Sequence, residues 1–338
     1  MAASEAQICY DRAEPLCHSL NRPLLLYVTL VGHFRFSLHT EKLTATMRIA
    51  ERICTLAEEQ NNPALKIEAY HISAATLFNL GDFQAARKYA RSGIQIWRSG
   101  PVPSPVDDFE TAIVSCLCYD GLLDWHFGEM DSCQATMAEA IALAKEVNDM
   151  HGLAFALCLA AMLGYCKRNP AEVERLASDV FELSTRHHFA HWLVHGSILR
   201  GWARSASGNT AEGIPWIEQG IRDLRTVLGL PGHLACKAEA FHLADRTSEA
   251  LEAIKEAQAI AARSEERRWC AELHRLRGVF LAAMGAEQTQ IEGSFREAIR
   301  IAKEQKSVSL QKRAEATYAE YRRQKASGSQ GRGFRLPL

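Results

Sequence analysis

Along most of the chain, apolar residues recur every three to four positions, with Ala and Leu on one stripe and Glu, Arg and Lys on the other. The segments run for about 12–18 residues, and their period is that of amphipathic helices. Strand signals are almost missing: β-branched residues do not cluster, and no Asn-Gly or Asp-Gly turn is flanked by alternation. The pattern predicts an all-α chain.

Self-similarity organises these helices. "ATLFNLGDFQAARKYARSGI" (Ala75 to Ile94) ends one helix at Leu80, turns through Gly-Asp-Phe and starts a second. The plan returns as "LLDWHFGEMDSCQATMAEAI", "RGWARSASGNTAEGIPWIEQGI", "KAEAFHLADRTSEALEAIKEAQ" and "RGVFLAAMGAEQTQIEGSFREAI", with a weaker copy in "AAMLGYCKRNPAEVERLASDV". Aligned turns at Gly81, Gly128, Arg168, Gly208, Asp245 and Gly285 are separated by 47, 40, 40, 37 and 40 residues. The long interval holds "SGPVPSPVDDF" (Ser99 to Phe109), whose three prolines predict an extended loop.

Seven residues before each turn stands Ala74, Gly121, Ala161, Gly201, Ala238 or Gly278. Antiparallel helices approach closely only where one of them lacks bulk. A second small or modest apolar position (Gly93, Ala140, Val180, Gly220, Ala257, Ala298) is expected to let the next hairpin stack on the first. No hairpin buries its apolar face alone, so the units must stack into a solenoid.

The expected architecture is one solenoid over residues 1–323, with about seven hairpins. Its first copy, around "FRFSLHTEKLTATMRIAERI", is degenerate and has Phe34 at the small position. "SVSLQKRAEATYAEYRR" (Ser307 to Arg323) reads as a capping helix. The Gly/Ser-rich basic tail, 324–338, reads as disordered and chiefly solubilising.

Composition narrows the function. The 338 residues are 47% hydrophobic and 23% charged, with a formal net charge of −1, which gives no electrostatic reason to expect nucleic acid or an anionic membrane as partner. The polar, acid-bearing start predicts no secretory leader. The longest uncharged stretch, Gly152 to Cys166, is too short to span a bilayer. The ten cysteines include no C-x-x-C and only one C-x-C, Cys116 and Cys118. They read as core fillers of a cytoplasmic protein rather than disulfides.

The helix–turn–helix unit with G-[DE]-[FY] turns resembles the tetratricopeptide repeat in its longer, roughly 40-residue variant. "HWLVHGSILRGWARSASGNTAEGI", "RRWCAELHRLRGVFLAAMG" and "SFREAIRIAKEQKSVSLQKRAEATYAEYRRQ" together resemble the C-terminal repeat region of large bacterial signalling proteins. In those proteins a nucleotide cyclase or DNA-binding domain precedes a signal-transduction ATPase module. The resemblance implies a right-handed superhelix that serves as a regulatory or sensor arm, binding a protein, peptide or small effector. No G-x-x-x-x-G-K-[ST] loop, cyclase acidic pair or DNA-reading helix is present in the chain. No cofactor, catalytic residue or metal ligand is therefore assigned.

In tetratricopeptide repeats, positions six and three before the small residue, and one and four after it, face the concave groove. That rule nominates Glu68, His71, Phe78, Trp125, His195, Trp202, Glu272 and Arg275 as a partner-binding surface. For Trp125 and Trp202, packing between helices is the competing reading. Arg200, Lys237 and Arg277, just before small positions, are expected to run along their helices with their charges in water.

"RHHFAHWLVHGSILRGW" supplies the alternative, a metal-binding protein or metal-dependent enzyme using the His187–His195 cluster. The repeat register places His187 and His188 in an inter-repeat turn, which leaves only His191 and His195 sharing a face, too few ligands for a closed zinc site. A third reading, a decayed module without partner, predicts self-association through an exposed first hairpin.

Overall fold

In the computed structural model, residues 2–40, 42–102 and 109–326 are described, and among them every regular element is an α-helix. A leading helix, α1 (Ala2–Ser19), lies on the first hairpin, α2 (Pro23–Thr40) and α3 (Leu43–Glu59). The second and third hairpins are α4 (Pro63–Leu80) with α5 (Phe83–Arg98) and α6 (Phe109–Phe127) with α7 (Met130–Glu146). Next come α8 (Met150–Cys166) with α9 (Pro170–His187), then α10 (Ala190–Ala206) with α11 (Thr210–Asp223). The last two are α12 (Leu230–Leu243) with α13 (Thr247–Ser264) and α14 (Cys270–Ala283) with α15 (Gln288–Glu304), and α16 (Val308–Ala326) closes the stack. The chain is a tetratricopeptide-type α-solenoid. Most of the tail, 327–338, and most of the proline loop, 103–108, lie outside the described residues.

Local chemistry sets the helix ends. Asn62 caps α4 by accepting from the Ala64 and Leu65 amides, ahead of Pro63 in the first turn, and Asn169 and Asn209 accept from Glu172 and Glu212 in the same manner. All six aligned turn positions have positive φ: Gly81 (81°), Gly128 (82°), Arg168 (59°), Gly208 (97°), Asp245 (59°) and Gly285 (67°). At Gly81 the lack of a Cβ makes that conformation cheap. Arg168 takes it at a cost of about 1–2 kcal/mol, and its side chain leaves the turn to pair with Glu239 and Glu272.

The small positions make the hairpins. A Cβ on Gly201 would lie 2.7 Å from the Gly213 carbonyl oxygen and 2.8 Å from Ile217 Cγ1 on α11, and one on Gly278 would lie 2.8 Å from the Phe295 ring. The second small position behaves less uniformly than the repeat implied. Gly93 does admit the next hairpin, through Cys116 Sγ at 2.9 Å, whereas Gly220 admits Ile198 of its own hairpin at 2.4 Å. There the bulk of Ile198 fills the space inside the hairpin, so the glycine is needed on that side.

Two apolar cores result. Leu26, Tyr27, Leu30, Phe34, Ile49 and Ile53 form a separate cluster with Leu65, Ala69 and Ile72 of α4, while a continuous core runs from the other face of α4 to Leu310 of α16. Phe34 fills the N-terminal cluster, where the other hairpins have a small residue. No described helix is long and apolar enough to cross a membrane.

Candidate functional site

The superhelix turns back on itself. The Arg267 and Arg268 amides, in the link between α13 and α14, donate to the Asn79 carbonyl at 2.8 and 3.2 Å. Thr44 on α3 donates its amide and hydroxyl to Glu265 at 2.9 and 2.6 Å, and His39 at the end of α2 bonds Thr226 at 3.0 Å. Farther along, His126 bonds Ser307, and α16 lies against α6. The first hairpins thereby close over the concave face.

This closure leaves a cavity of about 630 Å³ in the middle of the ring, a size typical of sites for small organic ligands. Three stripes of its wall come from first helices of successive hairpins, at positions ten, six and two before the small residue, and α2 and the links before α12 and α14 supply much of the rest. The rows are Thr111, Ser115 and Tyr119; His151, Phe155 and Leu159; and His191, His195 and Leu199. Residues four apart share a helix face, so each helix contributes one vertical stripe.

Histidines form a chain across this wall. The rings of His39 and His191 are 5.7 Å apart, those of His191 and His195 4.5 Å, and those of His195 and His233 4.7 Å. His233 Nε2 and His195 Nδ1 share a hydrogen bond of 2.7 Å, and the Trp192 indole donates to His151 Nε2 at 3.1 Å. Burial, with Arg268 and His191 adding to it, pushes His233 down to about 3. Burial, then His233, His191, Arg268 and His39, hold His195 well below the usual histidine range. His71, beside Arg35, falls to about 4, chiefly through burial. The chain is therefore a row of neutral imidazoles at physiological pH.

Arg268 supplies the buried positive charge in this wall, and the more exposed Arg35 stands beside Glu68. Its side chain is 12% exposed, and its Nε donates to Glu266, itself fully buried, at 2.9 Å. Its guanidinium lies 5.4 Å from the Phe78 ring centre and 5.1 Å from that of Trp269.

Of the residues nominated from the sequence, the structure brings Glu68, His71 and His195 together on the cavity wall. The other five are buried behind it. Phe78 packs on Phe83, Tyr119 and His126. Trp125 sits under Arg313 of the closing helix, with its carbonyl accepting from Ser309. Trp202, fully buried, donates its indole N–H to Glu239 at 3.0 Å, and the same carboxylate accepts from Tyr165 at 2.8 Å. Arg275 grips Glu272 with two bonds, of 2.9 and 2.7 Å. At Phe78, Trp125 and Trp202 the positions one and four after the small residue meet neighbouring helices, whereas Ala75, Met162 and Tyr165, at the same positions in α4 and α8, line the cavity. Of the three basic positions, Arg200 pairs with Glu174 over the Trp216 ring and Lys237 lies over Phe241. Arg277 keeps its Nε buried without a hydrogen-bond partner.

His187 ends α9 and stacks on Phe189, and His188 is its left-handed cap, its amide donating to the Ser184 carbonyl. Neither lines the cavity. Among the described residues, no group of three or more His, Cys, Asp or Glu is placed to hold a metal ion. The cavity's cysteine thiols are kept protonated: burial pushes Cys158 up to about 12 and Cys236 well above the usual thiol range, the reverse of what a nucleophile needs.

Comparison with known proteins agrees with this architecture. The family model described as anaphase-promoting complex subunit 5 matches residues 60–167 and 270–324. An uncharacterized protein of Rhizobium meliloti (strain 1021) is 23% identical over 270 residues, which cover 78% of this chain and 26% of that protein. The chain thus spans about a quarter of that relative's length. The Rap protein solved in complex with competence and sporulation factor superposes with a TM-score of 0.62 at 12% identity, over 95% of this chain and 98% of the other. The Rap conjugation gene regulator of plasmid pLS20, solved with the Phr* peptide, gives 0.54 at 10% identity, over 77% and 75%. At these identities the likeness is one of fold: the class is the tetratricopeptide-like helical solenoid.

Proposed function

We propose that the chain is a non-catalytic effector-binding scaffold that regulates a signalling module. The observation that carries this reading is the partly open cavity of about 630 Å³, walled by neutral imidazoles, aromatics and one buried guanidinium. A solenoid that only presented its outer surface to a protein would have no need of such a recess. The Rap structures, solved with competence and sporulation factor and with the Phr* peptide, support a peptide or small organic effector held on the concave side. The resemblance to the repeat arm of bacterial cyclase and transcription-linked ATPases supports a module of that type as the regulated partner. Glu68, His71 and His195 are the nominated residues we retain as contacts.

The test is retention of ligand by the purified chain, read by native mass spectrometry after exposure to bacterial extract. Leu199→Trp places a bulky ring on the wall and is expected to abolish retention while the chain stays helical. Equal retention by the variant, or turnover of ATP by the chain alone, would overturn the reading.

A further inference from the structure

Resting on the effector reading, we propose that the corner formed by Arg268, Trp269, His195 and His233 recognises the carboxylate of an organic acid, whose apolar body lies along Phe155, Leu159 and Met162.

Donors outnumber acceptors in this corner. Arg268 donates Nε to Glu266 and Nη1 to the Met162 sulfur at 3.7 Å, a weak acceptor. Its Nη2 has no hydrogen-bond partner among the described residues. The Trp269 indole N–H, which can only donate, is buried without a partner, and so is His195 Nε2. In the tautomer in which His233 Nε2 donates to His195 Nδ1, His195 Nε2 carries a proton as well. The nearby carboxylate is already committed, since Glu266 accepts from Arg268 with one oxygen and from the Gly229 amide, at 2.9 Å, with the other. Buried donors left unpaired are costly, so the occupant of this corner must bring acceptors.

The backbone is shaped for an occupant. A Cβ on Gly229 would lie 3.6 Å from Arg268 Nη2, 3.7 Å from His233 Nε2 and 3.8 Å from His195 Cε1, so three polar side chains converge on one glycine. Gly232, one turn on, lets the Trp269 ring lie where a Cβ would come within 2.5–2.8 Å of it.

The field in the corner bears on the charge of the occupant. Glu68 is the single carboxylate among the lining residues, and Arg35 stands 3.6 Å from it. The positive field of Arg268 reaches across the cavity, opposing the effect of burial on Tyr119 and Cys158 and reinforcing it on His195 and His233. Glu266 already matches the unit charge of Arg268, so the occupant's carboxylate is held by charge-assisted hydrogen bonds to the free donors of the corner, whereas a phosphate dianion would bury a second charge with no counterpart. A small organic acid and the C-terminus of a short peptide both offer this chemistry.

The experiment is calorimetric titration of the full chain with phenylbutyrate, its primary amide, phenyl phosphate, and the tripeptide Leu-Leu-Phe with free and with amidated C-terminus. The expected result is a preference of at least about tenfold for acid over amide, the scale of a charged hydrogen bond. The two acids, small molecule and peptide, distinguish the source. Arg268→Gln alone strands Glu266 and risks unfolding, so the paired Arg268→Gln/Glu266→Gln variant is used and is expected to equalise acid and amide. Trp269→Phe, which keeps the ring and deletes the N–H, is expected to weaken the acid several-fold and leave the amide unchanged. Equal binding of acid and amide, or tighter binding of phenyl phosphate, overturns the carboxylate assignment and leaves the effector reading standing. No binding by any probe, with ligand retained from extract in the same preparation, overturns it as well. No binding and no retention overturns both.

Discussion

The amide of Arg267 donates to the carbonyl of Asn79 at 2.8 Å, joining the end of the second hairpin's first helix to the link before the last hairpin. That bond makes a ring of what the repeats alone would leave as an open spiral. The first hairpin packs through its own apolar cluster and is held to the far side by Thr44–Glu265 and His39–Thr226. Thr44→Ala removes the hydroxyl half of the clasp and keeps the amide bond to Glu265, so at this exposed contact it should cost only about 1 kcal/mol. Hydrogen exchange should nonetheless rise selectively in α2 and α3, which then open ahead of the rest. Uniform exchange across all helices would show that the closure does not depend on this contact.

Glycines of opposite surroundings should respond with opposite signs. Gly201→Ala drives a methyl into the Gly213 carbonyl and Ile217 and is expected to destabilise by about 1–3 kcal/mol. Gly293 lies within α15 with nothing near its missing Cβ, so Gly293→Ala should stabilise by about 0.5–1 kcal/mol. Denaturant midpoints decide both.

Trp202 reports on the core rather than on a ligand. Trp202→Ala is expected to cost about 3–5 kcal/mol, since it leaves a cavity and removes a hydrogen bond from Glu239. A Trp202→Ala chain that kept wild-type stability yet lost its ligand would show that the ring faces the binding space.

Glu272 is held by three guanidinium groups. Burial opposes its ionisation, but Arg275, Arg313 and Arg168 outweigh that and keep its carboxyl well below the usual range. Glu272→Gln should cost about 3–5 kcal/mol by leaving buried cations short of a counter-charge. Thermal unfolding of the variant measures it.

Acid should loosen the ring. Folded, His71 titrates near 4 and His126 and His233 near 3, against about 6.5 when unfolded. Above that unfolded value both states are neutral and the histidines leave stability unchanged. As pH falls from about 6.5 toward 4, the unfolded chain takes up protons that the folded chain refuses, so stability drops by up to about 1.4 kcal/mol per pH unit for each histidine. Denaturant titrations across that window should show the fall, and a flat profile would mean these imidazoles reach solvent.

How much of this could be read from the sequence differs by scale. The turn alignment located six positive-φ positions, and the small residues before them marked close helix approaches, because both requirements are local. The inter-repeat turn at His188 was visible for the same reason. Which side chains face the cavity was not, because that depends on the rotation of each hairpin against the next and on closure between Asn79 and Arg267. Trp202 and Trp125 share their register with groove positions and differ only in that rotation. A usable signal did exist: His151 and His191 stand at the same repeat position, each followed four residues later by another ring, Phe155 and His195. Arg268 offered none, since it lies in a link outside the helical period.

An open solenoid can gain or lose units at little cost, because each unit touches only its neighbours. Here the second hairpin bonds the link before the seventh, so the number of units between them is a condition of assembly. Inserting or excising one would separate Asn79 from Arg267 and unlock the enclosure. Copy number, which drifts freely in many repeat arrays, is in this chain a fixed dimension of the cavity.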